Sequence, residues 1–503
     1  MRLHWFTVRR LFLGSILMAV AVPAFQPLAD PDFFWHVRVG DWILAHRAIP
    51  LHDLFTDTVG SHAFVAHEWG SEAVMSLISG AFGFAGVSIY FGVITWAAFL
   101  CLLVTMRRVS YPVAGVTLVL GVVAGNPIWG PRTQMITFAL VVFLLYLLRR
   151  YRYTADRRWL YPIPPMFVIW VNLHAGFTIG LIFLAITIVG EAMYRAVRKV
   201  EADDRTPAPI RPLVLAALVA ALAVMVNPNT FQIYLYAAQT QFSPAQQKLI
   251  VEWFSPNFHL LELRPFELML LIIPVLMAVS DRKPRVTDML LVLATLVMAL
   301  QSVRHIALFV AATLPVLAEL AQGSWDAVSR GRRILRDPRP GTRLGLLNAL
   351  ILGLVAVSVL VVAIPHVRSG PTSPAVTRDY PVAAVDSLRG DPPPGQMFNQ
   401  YGWGGYLTYR LWPGRKVFIY GDAAVMGDAF LNEYESVEIL KPTYRQTLDR
   451  RQVTWVIDYS GDPLDVALEQ TGEWVPTYRD SQAVILVRRT AATADYLARH
   501  PGV

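Results

Sequence analysis

The sequence predicts a polytopic α-helical membrane protein, with about 11 transmembrane helices and a C-terminal extracytoplasmic α/β domain. Three observations lead there. Of 503 residues, 55% are hydrophobic and only 16% are charged, with a mean hydropathy of +0.44, which does not describe a soluble chain. Arginine clusters fall in short connections between apolar runs, the pattern of topology signals. Beyond residue 365 the apolar runs shorten, charge rises and turn residues punctuate the chain. The domains expected are a transmembrane domain over 1–365, with a large first extracytoplasmic loop at 29–85, and an extracytoplasmic α/β domain over 366–503.

The formal charge of +8 resides in those connections, and no basic stripe with interleaved aromatics accompanies it, so no nucleic-acid partner is expected. The single cysteine, Cys101, lies in an apolar run, which excludes an intrachain disulfide and disfavours thiol catalysis.

Residues 10–28 read as a first span after Arg9 and Arg10. A cleaved signal peptide is the alternative, and both readings place Asp30 outside the cytoplasm. Runs at 86–106, 111–127 and 132–149 follow, each near the roughly 20 residues that cross a bilayer core. Arg107–Arg108 and the group from Arg149 to Arg158 mark cytoplasmic ends, leaving the Gly125–Arg132 connection outside. Runs at 159–172 and 176–194 flank Asn172-Leu173-His174-Ala175-Gly176, and segment 200–211 reads as a cytoplasmic loop. Residues 212–227 return outward to a connection carrying Glu252-Trp253, long enough for an ordered loop. Runs at 265–280, 286–302 and 306–321 follow, with Arg304-His305 at an outer turn. Arg330–Arg343 is arginine-rich and cytoplasmic, and 344–365 is the last span. In the tail, 416–420, 453–457 and 483–487 read as buried strands, with helices near 380–389, 432–449 and 463–471.

Ionisable residues concentrate between Ala29 and Glu72. Asp30 and Asp32 directly follow the first span, where a carboxylate can deprotonate a hydroxyl or ligate a divalent cation. The structural alternative is that Asp30-Pro31 ends one helix and Asp32 caps the next. Phe33, Phe34, Trp35, Trp42, Ile43 and Leu44 suit a helix lying in the membrane interface. Glu68 and Glu72 are spaced to share a helical face. Ser71 stands where a His-Glu-x-x-His zinc motif needs its second histidine, so zinc-protease chemistry is disfavoured. His67 reads equally as a satisfied interfacial histidine, whereas His174, Glu252, Arg304 and His305 draw attention because ionisable groups at membrane depth are costly and tend to be functional. Arg132 and Arg304 at span ends suit phosphate binding, or merely snorkel to the interface. No glycine-lysine phosphate loop is present in the tail.

Asp-Pro-Asp-x-x-Trp-His from Asp30, His67-Glu68-Trp69, Asn172-x-His174, Arg304-His305 and Asn399-x-Tyr401-Gly402-Trp403-Gly404-Gly405-Tyr406, together with the layout of the chain, resemble the polytopic C-type glycosyltransferases and a bacterial branch of poorly defined role grouped with them. The resemblance implies an integral membrane glycosyltransferase of the bacterial inner membrane, with the N-terminus cytoplasmic and the C-terminal domain extracytoplasmic. It implies transfer of a sugar, hexosyl or pentosyl, from a polyprenyl-phosphate-linked donor to an extracytoplasmic glycan, lipid or protein. Carried over, Asp30 is the leading base, Asp32 its alternate or a ligand for Mg or Mn, and Glu68 a second carboxylate. Arg132 and Arg304 would hold the donor phosphate, with His36, His67, Asn172, His174, Glu252 and His305 as further substrate-binding candidates. Pro31 between the aspartates departs from the adjacent acidic pair common in the family. The alternatives are a transporter or flippase, which requires polar groups reachable from both sides, or a scaffold whose outer domain binds a partner through Trp403 and Tyr406.

Overall fold

A computed structural model describes residues 6–198, 208–329, 341–368, 370 and 373–502. The expected loop at 200–211 and the arginine-rich segment at 330–343 fall mostly outside these residues. The chain forms two compact units, one of residues 1–27, 88–231 and 252–368, the other of 28–87, 232–251 and 369–503.

The first unit is helical. Every apolar run expected as a span falls on helix. Among the described residues, five helices are long and apolar enough to cross a membrane: Trp69–Thr105, Gln134–Thr154, Phe177–Ala196, Val303–Ser329 and Thr342–Val367. Tyr111–Ala124, Ile210–Ala223 and Val286–Gln301 are shorter apolar helices. The run at 10–28 is broken into Val8–Ala19 and Ala21–Ala24, where Pro23 lacks the N–H that continues a helix. Two arginines of the expected cytoplasmic cluster are buried instead of solvated. Arg152 donates to Asp288 Oδ1 at 2.5 Å, and Arg149 pairs with Glu319, so these charges tie helices to one another.

The second unit is built on a four-stranded sheet: β1 (Gln396–Asn399), β2 (Val453–Tyr459), β3 (Trp474–Arg479) and β4 (Ala483–Arg488). The order is β1-β2-β4-β3, with β1 parallel to β2 and the other pairs antiparallel. Strands β2 and β4 are continuous apolar runs because they lie centrally and are buried on both faces. The expected strand at 416–420 is not one. Its backbone is bound by a side chain: Phe418 N–H donates to Asn399 Oδ1 at 2.8 Å, Asn399 Nδ2 donates to the Ile419 carbonyl at 3.0 Å, and Val417 N–H donates to the Phe55 carbonyl at 2.9 Å. Satisfied this way, an apolar run needs no sheet partner.

Helix Pro31–His46 belongs to this unit. Its aromatics do not face lipid as an interfacial helix would require. Phe33, Phe34 and Trp35 are at most 3% exposed, and helix Gly404–Leu411 packs over them, Phe34 meeting Tyr406 edge-on at 5.2 Å between ring centres. The approach depends on Gly405, where a Cβ would lie 2.2 Å from the Pro31 carbonyl oxygen. Gly405 thus serves helix packing, while Gly404 admits the Ile419 backbone, whose carbonyl oxygen would lie 2.1 Å from a Cβ there. Trp403 and Tyr406 are themselves buried, which removes the exposed surface that the scaffold alternative required.

Candidate active site

The acidic stretch folds into one cluster inside the second unit. Asp30 is the N-cap of helix Pro31–His46, Pro31 occupies the first helical position, and Asp30 Oδ1 accepts from Asp32 N–H at 2.8 Å. The cap is therefore Asp30, where the structural alternative read from the sequence had given that duty to Asp32. Asp32 lies in the first turn of the helix, and its Oδ1 accepts from Trp35 Nε1 at 3.0 Å. Both carboxylates are half-buried. Gly421 closes over Asp32 so tightly that a Cβ would stand 1.8 Å from its Oδ1.

One turn further, His36 is 6% exposed and lies between two carboxylates. Its Nδ1 is 3.1 Å from Glu72 Oε1 and its Nε2 is 3.6 Å from Glu68 Oε2. Glu68 N-terminally adjoins helix Trp69–Thr105, and Glu72 N–H donates to the Glu68 carbonyl at 3.0 Å, so both acids reach His36 from one helical turn. Glu68 Oε1 also meets His67 Nε2 at 3.2 Å. His67 lies 27° off parallel to the Tyr236 ring, 4.6 Å between centres. Its Nδ1 donates to the Val65 carbonyl at 3.1 Å.

Burial opposes the imidazolium of His36, but the hydrogen bond to Glu72 and the charges of Glu68 and Glu72 outweigh it and push this histidine up to about 9. His67 is raised as well, its burial outweighed by Glu68. Asp422 is buried and raised by that burial; its Oδ1 accepts from Val425 N–H at 3.2 Å, and its Oδ2 is buried with no hydrogen-bond partner. The cluster is thus two histidines, each shifted toward the imidazolium form, held among Glu68, Glu72 and Asp422, beside the Asp30–Asp32 pair.

The remaining candidates lie in the first unit. Arg132 is hydrogen-bonded to Glu252, and Arg304 stacks over the Trp253 ring at 4.7 Å. Burial raises Glu252, but the two guanidinium charges more than offset it and hold the carboxylate below its ordinary range. Two cations facing one anion leave a net positive site. His305 is buried, 3.3 Å from the Met298 carbonyl through Nδ1. Asn172 is committed to main chain, donating to the Val168 and Val226 carbonyls at 2.8 Å each. His174 Nδ1 accepts from Gly176 N–H at 2.9 Å and meets Thr137 Oγ1 at 2.8 Å, which leaves Nε2 to carry the proton.

Glu72, Asp422, Tyr236 and Gly421 join the cluster without having been singled out as site residues. Glu72 had its helical spacing as a signal, and Gly421-Asp422 stands at the end of an apolar run, a frequent place for exposed chemistry; Tyr236 had none. Among the described residues, no group of three or more histidine, cysteine or carboxylate side chains is arranged to hold a metal ion. Asp32, the candidate ligand, is hydrogen-bonded to Trp35, so no step is routed through a cation.

No protein-family model matches the chain, and no curated protein matches it by sequence. Solved structures do. Apo ArnT from Cupriavidus metallidurans aligns with a TM-score of 0.52 at 15% identity, over 96% of this chain and 98% of that one. The Archaeoglobus fulgidus oligosaccharyltransferase tethered to an acceptor peptide aligns with a TM-score of 0.50 at 12% identity, over 97% and 75%. The same ArnT bound to undecaprenyl phosphate scores 0.49 at 12% identity, over 96% and 97%. Alignment along nearly the whole chain gives this protein the same fold as apo ArnT and that oligosaccharyltransferase.

Proposed function

We propose that the chain is an integral membrane glycosyltransferase that moves a sugar from a polyprenyl-phosphate donor to an extracytoplasmic acceptor. The observation that carries the reading is the Asp30–Asp32 pair, set at the head of a buried helix and backed by the His36–Glu68–Glu72 network, in a chain with this fold. A polar cluster of this depth is expensive, and a helix of the same shape could be packed with apolar side chains alone.

In this reading Asp30 takes the proton of an acceptor hydroxyl as the oxygen attacks the anomeric carbon. The bond from that carbon to the phosphate oxygen breaks, polyprenyl phosphate departs with its electron pair, and the configuration inverts. Asp32, held by Trp35, keeps the neighbouring charge in place and is the alternate base. Arg132 and Arg304 supply the cations that a phosphate leaving group needs. The bacterial inner membrane, a cytoplasmic N-terminus, about eleven spans and an outward C-terminal domain belong to the same proposal. Two features support it: the whole-chain likeness to an oligosaccharyltransferase, and the pairing of arginines with a single glutamate.

The test is made in cells. Asp30→Asn and Asp32→Asn variants, shown to insert at normal levels, should abolish one envelope glycan, glycolipid or glycoprotein modification seen by mass spectrometry in the wild type. Unchanged composition in both variants would overturn the reading.

A further inference from the structure

We propose that the soluble domain carries a saccharide-binding cleft, at the junction of β2, the start of β4 and helix Pro374–Asp379. The binding rests on this domain alone, whereas its role as a seat for the acceptor rests on the transferase reading above. The cleft measures about 620 Å3 and is lined by Arg378, Asp379, Tyr459, Ser460, Ser481 and Gln482. That lies within the roughly 300–1,000 Å3 of small-molecule sites.

The lining is built by the sheet. Tyr459 closes β2 directly opposite Ala483 of β4, which brings Ser481 and Gln482 beside it. Ser460 N–H donates to the Gln482 carbonyl at 3.0 Å, and Gln482 Nε2 donates to the Arg378 carbonyl at 2.9 Å. Trp403 Nε1 donates to the Asp379 carbonyl at 3.1 Å. The walls are therefore tied to one another by one main-chain bond and two side-chain bonds to main-chain carbonyls. The buried Trp403 ring backs Tyr459 at 4.3 Å between centres, which fixes the phenol ring while leaving the residue 41% exposed.

The chemistry of this surface matches a sugar. A pyranose has an apolar face of C–H groups and a rim of hydroxyls. The electron-rich face of a fixed aromatic ring takes the first, and planar side chains with paired donors or acceptors bridge adjacent hydroxyls on the second. Tyr459 supplies the face; Asp379, Arg378 and Gln482 supply the planar groups, and two serines complete the rim. Arg378 bonds Asp379 through Nε at 2.8 Å and Nη2 at 3.0 Å, so the two charges cancel and the cleft favours a neutral ligand over an anion. Burial, then the charges of Asp458 and Asp379, raise the Tyr459 phenol, which keeps it a hydrogen-bond donor.

The probes are maltohexaose, a β-1,3-glucan hexaose and N-acetylchitohexaose as neutral ligands, a sulfated heparin hexasaccharide as the anionic one, and an uncharged hexapeptide. Each is titrated calorimetrically into the full-length protein in nanodiscs. We expect at least one neutral hexasaccharide to bind, and Tyr459→Ala and Gln482→Ala each to weaken it about tenfold, equivalent to about 1.4 kcal/mol. Ser481→Trp, at an exposed position, fills the cleft and should abolish binding without unfolding the domain, which keeps the test valid if Tyr459→Ala is unstable. No binding of any neutral hexasaccharide, binding indifferent to Tyr459→Ala and Ser481→Trp, or binding confined to the anion or the peptide would overturn the proposal. Asp32→Asn separates the two readings, since it should stop transfer and leave saccharide binding intact. Transfer unaffected by Asp30→Asn and Asp32→Asn, with sugar binding still lost in Ser481→Trp, would sink the transferase reading and leave the cleft standing.

Discussion

Replacing His36 with leucine should damage the protein more than the loss of one side chain would suggest. The histidine is buried, with Glu72 at 3.1 Å and Glu68 at 3.6 Å, so the variant strands carboxylates in a site that water does not reach. Removing one partner of a buried ion pair costs about 3–5 kcal/mol, most of it the penalty of the charge left behind. Glu72→Leu should cost a similar amount, and the double variant His36→Leu/Glu72→Leu no more than either single one, because Glu68 keeps His67 at 3.2 Å as its partner. The pair also imposes a pH dependence. His36 is held at about 9 against an ordinary 6.5, so the folded chain keeps a proton that the unfolded chain releases. Its stabilisation is complete below pH 6.5 and is lost as pH rises through 9, a difference of about 3 kcal/mol. His67 is raised in the same sense and adds to the slope. The assay is thermal unfolding of the full-length protein in detergent at pH 6, 7.5 and 9, followed by tryptophan fluorescence. Single-variant losses that add to within about 0.5 kcal/mol in the double variant, or a pH slope unchanged in His36→Leu, would refute the coupling.

Gly421→Ala should disturb Asp32 specifically, since the new methyl would stand 1.8 Å from Asp32 Oδ1 and 2.8 Å from Trp35 Nε1. We expect a stability loss of about 1–3 kcal/mol and a loss of transfer matching that of Asp32→Asn, read as envelope glycan composition beside a melting curve. Asp458 is buried and, helped by Asp462 and Glu438, is raised to about 7, so its folded form holds a proton that the unfolded chain gives up above 3.8. Stability from this group therefore falls as pH climbs from about 4 through 7, and Asp458→Asn should raise the melting temperature at pH 8 while leaving it unchanged at pH 4. Arg132→Gln should weaken binding of undecaprenyl phosphate to the detergent-solubilised protein more than tenfold, whereas Glu252→Gln, which removes the competing carboxylate, should tighten it; equal affinities in the wild type and Arg132→Gln would count against the phosphate role. A His174→Cys probe in a Cys101→Ser background should react with an impermeant thiol reagent from the extracytoplasmic side alone, and labelling from both sides would revive the transporter alternative.

The opening stretch shows where sequence reasoning reached and where it stopped. Asp30-Pro31-Asp32 offered capping and chemistry as rivals, and the chain order of the residues gives no way to choose. The fold splits the duties: Asp30 caps, while Asp32 is turned to Trp35. The aromatics of the same helix were read as membrane anchors because an apolar side chain announces burial without naming what buries it. Helix Gly404–Leu411, some 370 residues away, turned out to be the cover. The strand expected at 416–420 failed for a related reason. An apolar run needs its backbone satisfied, and the Asn399 side chain did this where a neighbouring strand was expected.

What the sequence determined by itself is whatever depends on local composition and period. Hydropathy and helical length placed a helix on every apolar run expected as a span, and alternation of apolar segments with turn residues announced the mixed α/β tail, because a helix satisfies its backbone within a single segment. Tertiary structure decided everything that depends on distant segments meeting: that His36 is protonated between Glu68 and Glu72, that Asp422 closes on their cluster, that Trp403 backs Tyr459 instead of facing a partner. Those outcomes are pairwise energies between residues tens or hundreds of positions apart, and no local pattern along the chain encodes which pairs will form.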